Sequence, residues 1–298
     1  MDNLDPAFDW RSFRRDGALA DLGDVTLWYD EEGRGGEPLV LLGGFGAGHH
    51  IWDFVWPLLD DFHRVTLEPR GLGRSDCPPT PYGVDVWADD LLRLLDHLGI
   101  ERTHVWATGF GNYYAVRFIA RNPERVNRFV GYTDVWAGDP SKGYDKIWKV
   151  YGTAIETFGT TGFGARLLTG MFSVPWLPWF PDWEAENLAV TMHPATATAT
   201  AGYCLTEADV RDDLDSIRVP SLVLQGDYGW DAKPLAPSAD YSLQEMQKRM
   251  PGLRTAVIPE SHPGYVIAHK PEECARIVRD FLREEGASST SDAGFTME

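Results

Sequence analysis

The chain is poor in cysteine, in basic residues and in long apolar runs. Its 298 residues include three cysteines and no Cys-x-x-Cys pair, a pattern that indicates reduced structural thiols. Lys and Arg total 27 against 45 Asp and Glu, a formal charge of −18. This charge disfavours nucleic acid and anionic membranes as partners, because both are negatively charged. The N-terminal residues lack the apolar core of a signal peptide, and no apolar run reaches bilayer length. We therefore predict a soluble, cytoplasmic protein.

Tryptophan, in contrast, is abundant. The sequence has twelve tryptophans, and four of them, Trp148, Trp176, Trp179 and Trp183, fall in one short stretch. Two interpretations stay open: these rings form the core of that stretch, or they line a large apolar pocket.

Predicted strands and helices alternate along most of the chain. The run Pro38–Leu42 is continuously apolar, as is typical of a parallel strand buried on both faces. Further strands are predicted near 25–29, 64–67, 104–107, 129–132, 220–226 and 255–258, and helices near 51–62, 86–98, 113–121, 243–250 and 271–284. This rhythm predicts an α/β fold in which a mostly parallel central sheet is flanked by helices.

The rhythm is interrupted once. Residues 137–216 are rich in aromatics, glycine and proline and do not continue the alternation. We predict that they form an inserted helical cap between two parts of the core, 18–136 and 217–285. Residues 1–17 are predicted to be a loosely held lead-in, and 286–298 a disordered tail.

A glycine-rich turn, Gly43 to Gly48, follows the first buried strand and precedes a predicted helix. A dinucleotide could bind at such a turn, but the G-x-G-x-x-G spacing would need glycine where His49 stands. The loop is better suited to point a backbone N–H at a developing oxyanion. No spacing of His, Cys or carboxylates resembles a metal site, so we expect neither a cofactor nor a metal.

Several ordered motifs carry a family resemblance. They are LVLLGGFGAGHHIWD, RGLGRSD, VWADDLLRLLDHLGIE, THVWATGFGNYYAVRFIARNPERV, IRVPSLVLQGD and IPESHPGYVIAHKPEE. In this order they resemble the α/β-hydrolase fold superfamily, in particular its capped esterase, lactonase and carbon–carbon hydrolase branches. The resemblance covers about 22–281 without the predicted cap and implies an α/β-hydrolase fold.

The motif that normally carries the nucleophile departs from the family pattern. The family places a serine in a strained G-x-S-x-G elbow with positive φ and small neighbours. Here the elbow reads Ala107-Thr108-Gly109-Phe110-Gly111. Ala107 and Gly111 are small as required, but Gly109 occupies the nucleophile's position. Glycine accepts positive φ readily, yet it has no side chain with which to attack a substrate.

The resemblance assigns the remaining machinery residue by residue. The two oxyanion-hole amides map to Phe45 and Phe110, and the catalytic histidine maps to His262. The catalytic acid maps to Asp231, if the loop after its strand carries an insertion, or to Asp134 at the end of the strand before the cap; both stay open. Substrate-binding positions are predicted at Gly44, Trp136, Trp148, Trp176, Trp179 and Trp183.

Two clusters of charged or titratable residues are also notable. His49 and His50 begin a predicted helix that faces the mouth of the site in the family arrangement, where they either contact substrate or cap the helix and are solvated. Asp89, Asp90 and Arg93 are predicted to form a solvated helix face.

Three hypotheses about function follow. The first is a hydrolase of ester, lactone or carbon–carbon type from which the serine has been removed. The second is an enzyme that works natively without a nucleophile, with His262 as general base on water or, as in cofactor-free lyases, isomerases or oxygenases, on a substrate proton. The third is a non-catalytic ligand receptor. We favour an enzyme that acts on a small hydrophobic or aromatic carbonyl substrate, as a monomer or homodimer.

Overall fold

The computed structural model describes residues 15–44, 48–79, 83–132, 153–170, 179–192, 203, 207–227, 236–261 and 265–284. Its centre is an eight-stranded sheet in the order β1-β2-β4-β3-β5-β6-β7-β8. The strands are β1 Ala18–Asp21, β2 Thr26–Glu32, β3 Glu37–Leu42, β4 Phe62–Leu67, β5 Thr103–Ala107, β6 Val126–Gly131, β7 Ser221–Gly226 and β8 Arg254–Ile258. The pairs β1–β2 and β2–β4 are antiparallel, and the pairs from β4 to β8 are parallel. The predicted mostly parallel sheet is therefore confirmed.

Seven α-helices lie between the strands or after the last of them in the described part of the chain. They are α1 Val84–His97, α2 Phe110–Arg121, α3 Gly162–Gly170, α4 Phe180–Thr191, α5 Ala236–Arg249, α6 Val266–His269 and α7 Pro271–Arg283. Short 3-10 helices span His49–Phe54, Trp56–Leu59, Pro123–Arg125 and Arg211–Ser216. Within the described part of the chain, no helix is long and apolar enough to cross a membrane.

Both faces of the sheet are buried, as the strand β3 demonstrates. Successive side chains of a strand point to opposite faces. Val40 and Leu42 accordingly join the apolar cluster that contains residues of α1 and α2. Leu39 and Leu41 join the cluster on the other face, with residues of α6 and α7. The continuous apolar run at 38–42 thus follows from a three-layer arrangement of helices, sheet and helices.

The strand order reverses at β3, because β4 lies on one side of it and β5 on the other. In open α/β sheets such a reversal opens a crevice at the carboxyl ends of the strands, where ligands bind. The turns that follow β3 and β5 contain Gly44 and Gly109. The topology therefore brings the glycine-rich turn and the elbow to one crevice.

The helices α3 and α4 lie in the insertion between β6 and β7. The C-terminal end of α4 is fastened to the turn after β4: the Gly73 N–H donates to the Thr191 carbonyl at 2.7 Å, and Leu72 forms a bridge with Met192. These contacts hold α4 beside the carboxyl ends of the strands. Other predicted segments, including 1–14 and the tail 286–298, lie outside the described residues.

Two local predictions are wrong. The single helix predicted over 51–62 is instead a pair of 3-10 helices, and the strand β4 already begins at Phe62. Pro57, near the start of the second 3-10 helix, explains the break, because proline lacks the N–H and clashes with the preceding turn of an α-helix. Asp90 is also not solvated. It is 1 % exposed and accepts hydrogen bonds from Arg70 Nε and Nη2, both at 2.6 Å.

Candidate active site at the elbow after β5

Gly109 forms the turn between β5 and α2. Its backbone angles are φ 52° and ψ −133°, in a region that residues with a side chain enter only with strain. The Thr108 N–H donates to the Leu42 carbonyl at 3.0 Å, and the Thr108 carbonyl accepts from the Gly111 N–H at 3.0 Å. These bonds fix the turn tightly against β3. The chain keeps the strained geometry of an elbow at the residue where the family has its nucleophile.

The elbow and the glycine-rich turn touch through their glycines. A Cβ placed on Gly109 would lie 3.1 Å from the Gly44 Cα, and a Cβ on Gly44 would lie 3.4 Å from the Gly109 Cα. A Cβ on Gly111 would overlap the Leu42 carbonyl oxygen. The close approach of β3 and α2 therefore requires the small residue that the sequence predicted at Gly111.

Phe110 is the first residue of α2. Its backbone N–H belongs to the first turn, whose amides have no intrahelical acceptor, and the positive end of the helix dipole lies there. The Phe110 nitrogen lies 3.6 Å from where a Cβ on Gly44 would stand, so this amide borders the gap between the two turns. The gap is thus suited to an oxygen that gains negative charge.

The glycine-rich turn closes on itself. The Gly48 N–H donates to the Gly44 carbonyl at 3.1 Å, and Gly48 has φ 55° and ψ −136°. A Cβ on Gly43 would overlap the Gly48 carbonyl oxygen. A side chain at position 43 therefore does not fit in this turn.

His49 follows directly and is buried, with 1 % exposure. Its Nδ1 lies 2.9 Å from Glu68 Oε1, as a close contact rather than an aligned hydrogen bond. Burial lowers the pKa of His49 to about 4, against the opposing influence of Glu68, so the imidazole is neutral at neutral pH. The interpretation of His49 as a solvated capping residue is wrong, because its partner arrives from the end of β4.

The turn after β4 encloses the Glu68 carboxylate. Glu68 Oε2 accepts from the Arg74 N–H at 2.6 Å, and a Cβ on Gly73 would overlap the carboxyl group. The Arg74 guanidinium lies 3.6 Å from the centroid of the Trp28 ring. Although burial alone opposes ionisation, the contacts with His49 and Arg74 keep the pKa of Glu68 below its ordinary value.

Side-chain bonds also link the ends of β6, β7 and β8 to their neighbours. Asn112 on α2 is buried, and its Oδ1 accepts from the Tyr132 N–H at 3.1 Å. Asp227 Oδ1 accepts from the Glu260 N–H at 2.6 Å. Glu260 has φ 53°, a rare value for a residue with a side chain. The backbone is therefore constrained shortly before the three positions, Asp134, Asp231 and His262, that the resemblance offers as catalytic.

Aromatic rings of α4 pack against the core beside these turns. The Trp183 ring lies 5.2 Å from both Phe54 and Phe180, and the Trp179 ring 5.5 Å from Phe54. Tyr265 lies 4.6 Å from Phe180. Trp183 is 1 % exposed, so this ring serves as core between α4 and the rest of the protein.

The structure brings together Gly44, Gly109 and Phe110 and places Trp179 and Trp183 on or beside α4. The other predicted site residues, Phe45, Asp134, Trp136, Trp148, Trp176, Asp231 and His262, lie outside the described residues. In the described ranges, no cluster of three or more His, Cys, Asp or Glu side chains could hold a metal ion.

Sequence reasoning missed two polar residues of α4, Glu184 and Asn187, which are 8 % and 4 % exposed. Burial raises the pKa of the Glu184 carboxyl to about 7. Their spacing of three places them on one helix face, but nothing in the sequence indicates that this face is the buried one.

Comparisons with known proteins agree with this geometry. A sequence model of the alpha/beta hydrolase fold matches residues 37–158. A putative carbamate hydrolase, RutD of Caulobacter sp. (strain K31), is 25% identical over 269 residues, which cover 84% of this chain and 92% of the relative. The 3-oxoadipate enol-lactonase 2 of Acinetobacter baylyi is 27% identical over 208 residues, 68% of this chain and 76% of the relative.

A solved structure, the enol-lactonase from Burkholderia xenovorans LB400, has the same fold. The likeness has a TM-score of 0.72 at 22% identity and covers 90% of this chain and 100% of that one. The sheet order, the positive-φ elbow at Gly109 and these matches lead to one conclusion: the chain has the α/β-hydrolase fold.

Proposed function

We propose that this protein hydrolyses a small hydrophobic carbonyl compound, an ester or lactone or an activated carbon–carbon bond, with water in place of a serine nucleophile. The observation that carries this proposal is the elbow at Gly109. It has φ 52° and leads directly into the first amide of α2, which supports oxyanion binding at a turn that has no nucleophilic side chain. A water molecule, and not a side chain at position 109, then supplies the attacking oxygen.

The proposed mechanism uses a general base and backbone amides. His262, oriented by Asp231 or Asp134, removes a proton from water as the water attacks the carbonyl carbon. The negative charge that develops on the carbonyl oxygen is stabilised by the N–H groups of Phe110 and Phe45. The first of these has the additional support of the α2 dipole. When the tetrahedral intermediate collapses, the bond from the carbonyl carbon to the leaving group breaks, and the protonated His262 gives its proton to the leaving atom.

The hydrophobic character of the substrate is supported by Trp179, which directly precedes α4. Its ring is partly exposed and packs beside the 3-10 helix that follows the glycine-rich turn. The names of the relatives, a carbamate hydrolase and an enol-lactonase, support hydrolysis at a carbonyl group. The formal charge of −18 also favours an uncharged substrate over an anionic one.

The central experiment compares the protein with Gly109→Ser and His262→Ala on a panel of p-nitrophenyl esters and aryl lactones. We expect turnover by the unsubstituted protein, no covalent labelling by a fluorophosphonate probe, and a loss of about 10² to 10⁴-fold in kcat for His262→Ala. Hydrolysis in H₂¹⁸O during a single turnover should place the label in the acid product. Gly109→Ser should change kcat/KM by less than about tenfold, because its new side chain is close to Gly44.

The alternative functions give different results. A serine-depleted hydrolase would gain more than about 100-fold in kcat/KM and fluorophosphonate labelling in Gly109→Ser. A proton-abstraction enzyme would exchange a carbon-bound substrate proton with D₂O and leave the esters intact. A receptor would bind its ligand and return it unchanged. Any of these outcomes contradicts the proposed hydrolysis by water.

A further inference from the structure

The helix α4 buries polar side chains on the face that it turns to the core. Glu184, Asn187 and Thr191 are spaced by three and four residues, so they share one face, and all three are more than nine-tenths buried. A buried polar side chain is costly unless it is hydrogen-bonded. The hydrogen bonds of these three side chains therefore indicate which groups contact this face of α4.

Part of this face is satisfied within the protein. Tyr265 Oη donates to Glu184 Oε1 at 2.5 Å, and Thr191 Oγ1 donates to the Asn187 carbonyl. Glu184 Oε2 and Asn187 Nδ2 are different: both are buried, and neither has a hydrogen-bond partner in the described part of the chain. One strong acceptor and one donor are thus left on adjacent turns of a single helix.

Contacts at its two ends locate this face of α4 relative to the sheet. At one end of the face, a Cβ on Gly48 would overlap the Thr191 side chain, so Thr191 lies on the turn after β3. At the other end, Glu184 binds Tyr265, three residues beyond His262 in the segment after β8. In the sheet, β5 lies between β3 and β8. The face of α4 therefore extends across the end of the sheet at which Gly109 stands.

The hydrogen-bonding capacity of Glu184 Oε2 and Asn187 Nδ2 indicates which ligand group they can bind. A carboxylate oxygen accepts a hydrogen bond, and an amide nitrogen donates one. A hydroxyl group can donate to Glu184 Oε2 and accept from Asn187 Nδ2 at the same time. A carboxylate on the ligand could not donate, and it would be repelled by an ionised Glu184.

We infer that Glu184 and Asn187 form a polar subsite on α4 that binds a hydroxyl group of the substrate, at a distance from the carbonyl that is attacked. This inference rests on the proposed function for the identity of the site, but the binding itself does not require turnover. It gives the substrate a definite form: an apolar, aromatic carbonyl compound that carries a hydroxyl group at its far end.

The test uses matched ligands. The substrates are the p-nitrophenyl esters of 3-phenylpropanoate and of 3-(4-hydroxyphenyl)propanoate, and the corresponding methyl ketones serve as non-hydrolysable ligands in calorimetry. We expect the hydroxylated member to be favoured about tenfold or more, in KM and in Kd, by the unsubstituted protein. The 4-carboxyphenyl analogue should bind more weakly than either.

Variants assign the preference to the subsite. Glu184→Leu and Asn187→Leu should each reduce the preference for the hydroxylated ligand to less than about threefold, in KM and in Kd. Glu186→Gln is the control, because Glu186 is an exposed residue of the same helix, and it should keep the full preference. Thermal unfolding verifies that each variant is folded. If one leucine variant fails to fold, the other together with Tyr265→Phe, which frees Glu184 Oε1, completes the series.

The outcomes separate the subsite from the proposed function. Turnover without any preference for the hydroxyl overturns the subsite and leaves hydrolysis by water in place. A preference in Kd without turnover supports the subsite and contradicts the hydrolytic function. The inference fails if the preference for the hydroxylated ligand survives both leucine substitutions. It also fails if the leucine variants gain stability while ligand selectivity is unchanged, because Glu184 Oε2 and Asn187 Nδ2 would then be buried atoms that contact no ligand.

Discussion

A Cβ on Gly109 would lie 3.1 Å from the Cα of Gly44. The elbow and the glycine-rich turn are thus in contact at the two positions where neither residue has a side chain. The absence of serine is therefore not the only feature of this position. The Gly44 backbone already occupies part of the space that a side chain at position 109 would need.

The first prediction concerns Gly109→Ala. We expect it to lower the free energy of unfolding by about 2 to 3 kcal/mol, since the new methyl group is strained by positive φ and also presses on Gly44. Gly99→Ala is the control, because Gly99 has φ 69° and a Cβ there would meet nothing within 4 Å; it should cost about 1 kcal/mol. Urea unfolding measures both. Equal losses would show that the contact with Gly44 has no energetic effect.

The second prediction concerns Gly43→Ala. Its Cβ would overlap the backbone oxygen of Gly48, and backbone cannot move aside as a side chain can, so we expect a loss of about 3 kcal/mol. Gly83→Ala is a suitable control, because the three atoms nearest to a Cβ there belong to the outer end of the Tyr203 side chain, which yields more readily than backbone. Thermal unfolding compares the two variants. A Gly43→Ala variant as stable as Gly83→Ala would contradict the closed turn.

The fold was predictable from the sequence because its signals are local. The apolar run at 38–42 and the small residues around Gly109 each reflect constraints that act within a few positions. Burial of His49 was not predictable in this way. It depends on Glu68, which arrives from the end of a different strand, and no periodicity specifies which side chains two such segments bring together.

The same limit applies to the insertion. The sequence predicted that 137–216 departs from the sheet rhythm, and it singled out tryptophans as the residues of interest there. The face of α4 that carries Glu184 and Asn187 was not visible, because polar and apolar residues are mixed around this helix. Only the contacts of Thr191 and Tyr265 indicate which side of the helix is turned inward.

The third prediction concerns acid sensitivity at His49. Its folded pKa of about 4 lies below the ordinary value of 6.5, so the unfolded chain binds the proton more readily. Stability is therefore lost as the pH falls from about 6.5 to 4, by up to about 3 kcal/mol. In His49→Gln, this part of the decrease in the free energy of unfolding with falling pH should disappear. His97→Gln, at an exposed position of α1, is the control, and urea unfolding between pH 4.5 and 7.5 is the measurement. An unchanged slope in His49→Gln would contradict the neutral, buried imidazole.

The fourth prediction concerns Glu184, whose titration changes the stability with pH in the direction opposite to that of His49. The folded pKa of Glu184, raised by burial to about 7, lies above its ordinary value of 4.5, so the folded chain binds the proton more readily. Glu184 therefore reduces stability as the pH rises from about 4.5 to 7, by about 3 kcal/mol in total. Glu184→Gln, which can still accept from Tyr265, should be more stable than the unsubstituted protein at pH 8 and lose this advantage at pH 5. Glu186→Gln should give no such crossing. Chemical unfolding at pH 5 and pH 8 measures these free energies. If Glu184→Gln changed the free energy of unfolding by the same amount at both pH values, Glu184 would not titrate in this range.

The fifth prediction compares two neighbouring acids of α1. Asp90 is 1 % exposed and accepts two hydrogen bonds from Arg70. Asp90→Asn therefore removes the buried countercharge of a largely buried guanidinium and leaves it only the exposed Asp24, at 3.2 Å. We expect a loss of about 3 kcal/mol. Asp89 is exposed and lies 3.4 Å from Arg121, and Asp89→Asn should cost less than about 0.5 kcal/mol. Urea unfolding in 0.1 M and 1 M NaCl measures both, and the Asp90 effect should persist at the higher salt because a buried pair is poorly screened. If the two substitutions lowered the free energy of unfolding equally, the result would contradict the buried Asp90–Arg70 pair and agree with the predicted solvated helix face.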